Sequence, residues 1–151
     1  MRDEQKPVCS AKPRSYKDLL VWQKGMELAR HIYCITLPFP TAEKFGIVSQ
    51  MRRAAVSIPS NIAEGQARHT TREFIQFISH AEGSVAELET QLMLAEDLGF
   101  CTRDKTDAAF GLVSDLRNML NALRRTLMRK QECTVSHGRA NSSLITRHSS
   151  L

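Results

Sequence analysis

The sequence has no long hydrophobic run and no cysteine motif, and both absences narrow what the chain can be. No apolar run exceeds four of its 151 residues, whereas a membrane-spanning helix needs about 20. The first residues contain no apolar segment of the kind that a secretory signal requires. The four cysteines form no C-x-x-C pair, so neither a disulfide framework nor a zinc site is expected. We therefore expect a protein of the reducing cytoplasm, with no membrane partner.

The residues that build common catalytic and cofactor sites are missing as well. The glycines are isolated, and no serine lies in a G-x-S-x-G motif. The five histidines include no H-E-x-x-H pair, and His31 with Cys34 supplies only two zinc ligands. One class of small helical ribonucleases places a histidine closer behind an arginine than His80 lies behind Arg72. The sequence predicts no enzyme, no metal site and no cofactor.

Apolar residues instead recur with the period of an α-helix in four segments. These segments cover about residues 16–36, 42–64, 71–98 and 102–130. No segment alternates with the period of a strand. Helices that are joined by loops of a few residues must run antiparallel to their neighbours. The prediction is an all-α protein, an antiparallel up-down-up-down four-helix bundle.

The apolar stripes predict which side chains face the core. In the first helix they are Leu19, Trp22, Met26, Ala29 and Tyr33, and a wider stripe adds Leu20, Leu28, Ile32 and Ile35. In the second they are Val48, Met51, Ala55, Ile58 and Ile62. In the third they are Phe74, Ile78, Ala81, Val85, Leu88, Leu92 and Ala95.

Several residues predict where the helices begin and end. The prolines of Leu37–Pro40 should end the first helix, and Thr41 is the expected N-cap of the second. Gly65 is expected to stop the second helix. Thr70 to Glu73 reads as a capping box that starts the third helix, and Gly99 should end it.

The two ends of the chain differ from the body at 15–130. Residues 1–14 combine two prolines with charges and show no apolar period, which predicts disorder. Residues 131–151 hold seven serines and threonines, which is typical of a flexible tail.

Charge is distributed unevenly between the third and fourth segments. Residues 70–98 carry six acids and one base, whereas residues 116–130 carry five bases and no acid. The five bases are Arg117, Arg124, Arg125, Arg129 and Lys130. Such a patch can neutralise nucleic-acid phosphates. Alternatively, its positive charges are stabilised by the negative end of the helix dipole, or the patch docks the acidic third helix of another subunit.

Polar residues form two further stripes, on the second and third helices. The predicted members of this polar seam are Gln50, Arg53, Ser57, Asn61, Glu64, His80, Ser84 and Glu87. An antiparallel pairing would set Ser57 level with His80. The seam is interpreted as hydrogen bonding between helices or between subunits, with a ligand site as the alternative.

Several of these segments also resemble a known family. They are Leu20-Val21-Trp22-Gln23, Phe39-Pro40, Gln50 to Ala55, Ser57 to Gly65, and Gly83-Ser84 with Glu87. They are similar to the four-helix bundle proteins, also called 23S rRNA intervening-sequence proteins. The resemblance covers about residues 16–128, and Ser57 to Gly65 is its most specific part.

The resemblance implies a bacterial cytoplasmic protein without known catalysis. Some members are encoded within insertions in large-subunit ribosomal RNA genes, and known relatives form ring-shaped pentamers. A more distant relative, an accessory protein of diversity-generating retroelements, is a basic pentamer that binds nucleic acid and a reverse transcriptase. A shared fold alone does not transfer these functions.

The sequence thus favours a non-enzymatic helical homo-oligomer that binds nucleic acid through the fourth-helix bases, with structured RNA as the expected ligand. The alternative is a protein-interaction scaffold in which the same charges hold subunits or a protein partner. Leu20, Ile35 and Ile47 lie off the main apolar stripes. They are expected to contribute to subunit contacts in a ring-like oligomer, a pentamer by the resemblance.

Overall fold

The computed structural model of the chain describes residues 15–145, with side chains up to residue 133. Four α-helices account for most of this part of the chain, which contains no β-strand. They are α1 (Leu20–Thr36), α2 (Ile47–Gln66), α3 (Thr71–Asp97) and α4 (Arg103–Ile145). Short 3-10 helices, Tyr16–Asp18 and Thr41–Phe45, precede α1 and α2. The all-helical prediction is confirmed for the described residues.

Helix α1 ends where the sequence predicts, but the centre of its buried face differs from the predicted one. Its buried apolar residues are Val21, Leu28, Ala29 and Ile32. Leu28 and Ile32, which were expected to widen the stripe, are fully buried. Of the main stripe only Ala29 is buried, while Leu19, Trp22, Met26 and Tyr33 are partly or largely exposed. The predicted centre was wrong because α1 carries apolar side chains on two adjacent faces. Periodicity alone does not say which of them faces the other helices.

Helix α2 begins and ends later than predicted. Thr41 opens a 3-10 helix instead of capping α2, whose N-cap position is Gly46. The helix runs through Gly65 to Gln66, with Ala67 as its C-cap, so Gly65 does not stop it. The predicted inward residues Val48, Met51, Ala55, Ile58 and Ile62 are all buried.

Gly65 has a packing role instead of a terminating one. A Cβ added at this position would lie 2.6 Å from the Cβ of Phe77 and 2.7 Å from Cδ2 of Phe74. Both distances are far below the separation of about 3.5 Å at which carbon atoms attract each other. The missing side chain therefore lets the end of α2 approach the start of α3 closely.

Helix α3 follows its prediction at both ends. The Thr70 hydroxyl accepts a hydrogen bond from the Glu73 amide at 3.2 Å and donates one to the Glu73 carboxylate at 2.6 Å. This second bond lowers the pKa of Glu73. Gly99 follows Leu98 with a φ of 72°, the left-handed conformation that glycine supplies after a helix. The buried apolar residues are Ile78, Ala81, Val85, Leu88, Leu92 and Ala95.

Helix α4 extends beyond its predicted end near Lys130 and continues to Ile145. Residues 131–145, predicted to belong to a flexible tail, therefore continue the helix. Apolar periodicity locates only the part of a helix that packs, so it does not detect an extension without an apolar face. The predictions for residues 1–14 and 146–151 lie outside the described residues.

The four helices enclose a hydrophobic core in which α1 and α3 each pack against both α2 and α4. Its largest fully buried side chains include Leu28, Ile32, Met51, Ile58, Ile62, Ile78, Leu88, Leu92, Leu116 and Leu120. Ile35 and Ile47 pack partly buried against this core, so of the three residues predicted off the stripes only Leu20 is largely exposed, at 68 %. No helix within the described residues is long and apolar enough to cross a membrane.

Candidate nucleic-acid interface

The predicted basic patch on α4 divides into two parts with different surroundings. In the first part, Arg117 forms an ion pair with Glu89 of α3. Nε of Arg124 lies 3.4 Å from Oε1 of Glu82, which is also on α3. The acidic run of α3 and the basic run of α4 thus meet within one subunit. The charges of these two arginines are balanced by carboxylates before any ligand approaches.

The second part of the patch consists of Arg125 and Arg129. Both side chains are exposed, and neither takes part in an ion pair among the described residues. They are four residues apart and therefore lie on the same face of α4. Nε of Arg129 donates to the Arg125 carbonyl oxygen at 3.5 Å. Lys130 is exposed beside them and makes contacts of its own.

The α3–α4 face carries a further charged cluster near the loop between the two helices. Glu96 accepts a hydrogen bond from the buried Thr106 hydroxyl and pairs with Arg103 at 3.4 Å. Arg103 also donates to Asp107 at 2.8 Å, and this bond raises the pKa of Arg103. Opposite charges therefore follow this face along much of its length.

The predicted polar seam between α2 and α3 is present at its centre. Asn61 donates to Ser57 Oγ at 2.9 Å, and Ser57 Oγ lies 2.9 Å from Ser84 Oγ. The Ser84 hydroxyl donates to the His80 carbonyl oxygen at 3.0 Å, so Ser57 must be the donor between the two hydroxyls. The register differs by about one turn from the predicted one, because Ser57 lies opposite Ser84 and not His80.

The other residues predicted for the seam point away from it. Gln50, Arg53, Glu64, His80 and Glu87 have exposed side chains. Glu64 pairs with Arg68, and Glu87 accepts a hydrogen bond from Gln91 at 3.0 Å. The seam is therefore a short hydrogen-bonded chain that joins α2 to α3 within one subunit.

Arg52 of α2 was not singled out from the sequence, yet the structure fixes it by two contacts. Its Nε donates to Thr36 Oγ1 at 2.9 Å, and its guanidinium carbon lies 4.6 Å from the centre of the Tyr33 ring. The buried Thr36 hydroxyl in turn donates to the Ile32 carbonyl oxygen at 2.8 Å. The turn at Leu37–Pro40 brings the end of α1 back to the start of α2, and from this signal the contact could have been predicted.

Two hollows flank Arg52 on the outer side of α1 and α2. The first has a volume of about 220 Å³, and its polar lining residues are Thr36, Thr41, Lys44 and Arg52. The second has a volume of about 500 Å³ and is lined by Tyr33, Ser49, Arg52, Arg53, Val56, Ser57 and Ser60. Neither hollow has an acidic lining residue.

An apolar groove of about 640 Å³ continues along α1 and α2 from Tyr33. It is lined mainly by Tyr16, Trp22, Met26, Ala29, Tyr33, Val56, Pro59 and Ala63. Four of these belong to the stripe that the sequence assigned to the core: Trp22, Met26, Ala29 and Tyr33. Tyr33 and Val56 are 46 % and 44 % exposed, so part of this apolar surface faces solvent.

The described residues offer no cluster of three His, Cys, Asp or Glu side chains that could hold a metal ion. Cys34 is an exposed free thiol, and Cys101 is a free thiol that is partly buried. Burial raises the pKa of Cys101, and the nearby charge of Glu96 raises it further.

Comparisons with known proteins identify one matching family and a similar solved structure. The family model described as 23S rRNA-intervening sequence protein matches residues 17–122, a span that reaches from before α1 into α4. Among solved structures, the chain is similar to a protein of unknown function from the S23 ribosomal protein family of Bacteroides thetaiotaomicron. The two are 22 % identical with a TM-score of 0.64, over 70 % of this chain and 95 % of the other. This likeness shows a shared fold. No curated protein matches the chain.

Proposed function

Since the chain belongs to the 23S rRNA-intervening sequence protein family, we propose that it is a non-enzymatic cytoplasmic protein that binds structured RNA. The observation that carries the proposal is the exposed pair Arg125 and Arg129 on α4, which no carboxylate of the described residues balances. Arginine presents a planar fork of donors that fits phosphate oxygens. Lys130, next to this pair, is exposed and extends the basic surface. Arg117 and Arg124 contribute less, because Glu89 and Glu82 already balance them.

The proposal includes an up-down-up-down order of the helices. On the facing sides of α3 and α4, Glu82 pairs with Arg124 and Glu89 pairs with Arg117. The residue numbers run in opposite directions along the two helices, as antiparallel packing requires. This order supports the RNA proposal because it places the balanced arginines between helices and leaves Arg125 and Arg129 toward solvent.

The proposal also includes assembly of several copies into a ring-like homo-oligomer, with five subunits as the expected number. Support comes from apolar side chains that remain exposed away from the groove: Leu20 on α1, and Met93 and Leu94 on α3. Exposed apolar surface of this kind is typical of protein interfaces. Light scattering on the full chain measures the subunit number, and a monomer at micromolar concentration would remove this part of the proposal.

Salt dependence of RNA binding tests the main proposal. Binding of a fluorescently labelled RNA hairpin to the full chain is measured by anisotropy between about 50 and 200 mM salt. Affinity falls as salt rises, and each phosphate contact that is lost makes the slope of log affinity against log salt shallower by about one unit. Here a lower slope means a shallower one. The double variant Arg125→Ala/Arg129→Ala should therefore lower the slope by about two units.

A matched control removes two positive charges elsewhere. Arg72 and Lys105 are exposed and lie outside the α4 pair, so Arg72→Ala/Lys105→Ala has the same net charge as the test variant. This control should keep nearly the full slope. An equal fall in both variants would mean that RNA responds only to the total charge. No salt-dependent binding by the wild-type chain would refute the RNA function.

A protein-interaction scaffold is the second candidate function, and the apolar groove between α1 and α2 favours it. The groove of about 640 Å³ presents an aromatic and aliphatic lining to solvent, and such surfaces commonly hold apolar anchors of a partner. Trp22→Ala should then abolish recovery of a protein partner from native lysate while leaving RNA affinity unchanged. Recovery of the same proteins by wild type and variant would contradict this alternative.

A further inference from the structure

We propose that Arg52, together with Lys44 and Arg53, forms a phosphate-binding site for the RNA backbone on the outer side of α1 and α2. The inference rests on the proposed RNA function and adds a site on the opposite pair of helices from α4. Lys44 lines one of the two hollows beside Arg52, and Arg53 lines the other. Three cations thus follow one another along this surface.

The first argument is that the guanidinium of Arg52 is held in place without being neutralised. The bond from its Nε to Thr36 Oγ1, at 2.9 Å, uses one donor and leaves the two terminal nitrogens available. Contact with the Tyr33 ring at 4.6 Å orients its plane. Among the described residues no carboxylate pairs with it. A fixed fork of unused donors is what bidentate phosphate binding requires.

The second argument is that the carboxylates of α1, α2 and the segment between them interact with other groups and do not line the hollows. Glu27 lies 3.6 Å from Lys24, and Glu64 pairs with Arg68. Glu43 accepts a hydrogen bond from the Ile47 amide at 3.3 Å. The hollows themselves are lined by hydroxyl, apolar and basic side chains, so an anion entering them meets no like charge.

The third argument favours RNA over an acidic protein. Tyr33 lines the hollow at Arg53 and also the apolar groove, and its ring remains 46 % exposed. An exposed aromatic ring beside a row of cations is the combination that binds single-stranded nucleotides, through base stacking and phosphate contacts. A carboxylate-rich peptide would use the cations but would gain nothing from the ring.

The test compares variants of the full chain in the same anisotropy assay with the labelled RNA hairpin. Lys44→Ala/Arg53→Ala leaves the Thr36–Arg52 contact in place, because both side chains are exposed, so its melting temperature should not change. We expect the salt slope to fall by about two units. The control Arg72→Ala/Lys105→Ala, which removes the same charge elsewhere, should keep nearly the wild-type slope.

Arg52→Lys tests the arginine fork itself. The substitution keeps one positive charge but loses the planar donor pair, so we expect weaker RNA binding with little change in salt slope. Unchanged affinity of Arg52→Lys would overturn the site as proposed. The melting temperature of this variant is measured alongside, and binding is compared at a temperature where both proteins are fully folded.

The outcomes separate this inference from the proposed function. If wild type binds RNA and only Arg125→Ala/Arg129→Ala lowers the slope, the RNA function stands and the Arg52 site is refuted. If wild type does not bind RNA, both are refuted. A poly-glutamate peptide that binds wild type but not Lys44→Ala/Arg53→Ala, with RNA binding equal in both, would assign the surface to an acidic protein and also overturn the site.

Discussion

On the α3–α4 face, arginines that lie toward the neighbouring helix meet carboxylates, whereas on the α1–α2 face they do not. Arg117 pairs with Glu89, and Arg124 lies 3.4 Å from Glu82. Arg52 contacts a hydroxyl and an aromatic ring instead. The α4 run has more positive charges in sequence, yet two of its five pair with carboxylates of α3, whereas no carboxylate of the described residues pairs with Arg52. A charge count along one helix therefore does not locate an anion-binding surface, because the balancing groups lie on the adjacent helix.

The α2–α3 contact and the outer surface of α1 and α2 also differ in how closely their helices pack. Between α2 and α3, Gly65 allows contact with Phe74 and Phe77, and Ser57 bonds across to Ser84 at 2.9 Å. Alongside α1 and α2, a groove of about 640 Å³ remains open. Dense packing makes the first region sensitive to added or removed atoms. The second region should tolerate changes in volume and respond mainly in binding.

The largest effect is expected from truncating the core that α3 shares with its neighbours. Leu88 is fully buried, so Leu88→Ala should lower the free energy of unfolding by about 2–5 kcal/mol through lost burial and a cavity. Leu37, just after α1, is 74 % exposed and serves as the matched control. Leu37→Ala should change stability by less than about 0.5 kcal/mol. Chemical denaturation measures both, and equal losses would contradict the assigned burial.

A smaller effect is expected from adding one methyl group at the α2–α3 contact. Gly65→Ala places a Cβ 2.6 Å from that of Phe77, and relief of this overlap should cost about 1–3 kcal/mol. Gly83, within α3, has no atom within 4 Å of an added Cβ. Gly83→Ala should instead stabilise the protein by about 0.5–1 kcal/mol, because alanine favours the helix. A lower melting temperature for Gly65→Ala and a higher one for Gly83→Ala would confirm both expectations. A stabilising Gly65→Ala would refute the close approach of α2 and α3.

A still smaller effect is expected for the ion pair between α3 and α4. A double-mutant cycle on Glu89 and Arg117, with alanine at each position, should give a coupling of about 0.2–1 kcal/mol, since both side chains are partly exposed. The coupling should fall as salt screens the charges. Zero coupling at low salt would imply that Arg117 is available for ligands, and the contrast between the two faces would then disappear.

The sequence alone predicts the buried face of those helices whose apolar residues form a single stripe. The inward residues of α2 and most of those of α3 are buried as predicted, because one apolar face leaves one way to pack. In helix α1 only the edge of the predicted stripe that holds Leu28 and Ile32 is fully buried, since Trp22 and Tyr33 line the groove. Gly65 was read as a stop because sequence alone does not distinguish a terminating glycine from one that admits a neighbouring aromatic ring.

The candidate site was less predictable because it depends on contacts between helices. The basic run of α4 is visible in sequence, but its pairing with Glu82 and Glu89 depends on the register of α3 against α4. Arg52 lies in one of the segments that carry the family resemblance, but neither the resemblance nor the helical period shows what its side chain contacts. Its relevance depends on the turn that brings Thr36 alongside it.

The smallest effect concerns thiol reactivity, which reports how open the two regions are. Cys34 lines the groove and is exposed, whereas Cys101, near the α3–α4 loop, is partly buried. Burial and Glu96 raise the pKa of Cys101, so less of it is thiolate at a given pH and alkylation should be slower than at Cys34. Its rate should therefore continue to rise at pH values where an ordinary thiol is already ionised.

Glu96→Gln removes a negative charge and should speed alkylation of Cys101, while the neighbouring Asp97→Asn should leave it unchanged. Peptide mass spectrometry after timed iodoacetamide treatment measures each rate. Equal rates at the two cysteines would show that the α3–α4 end is as open as the groove, and the packing difference between the two regions would not hold there.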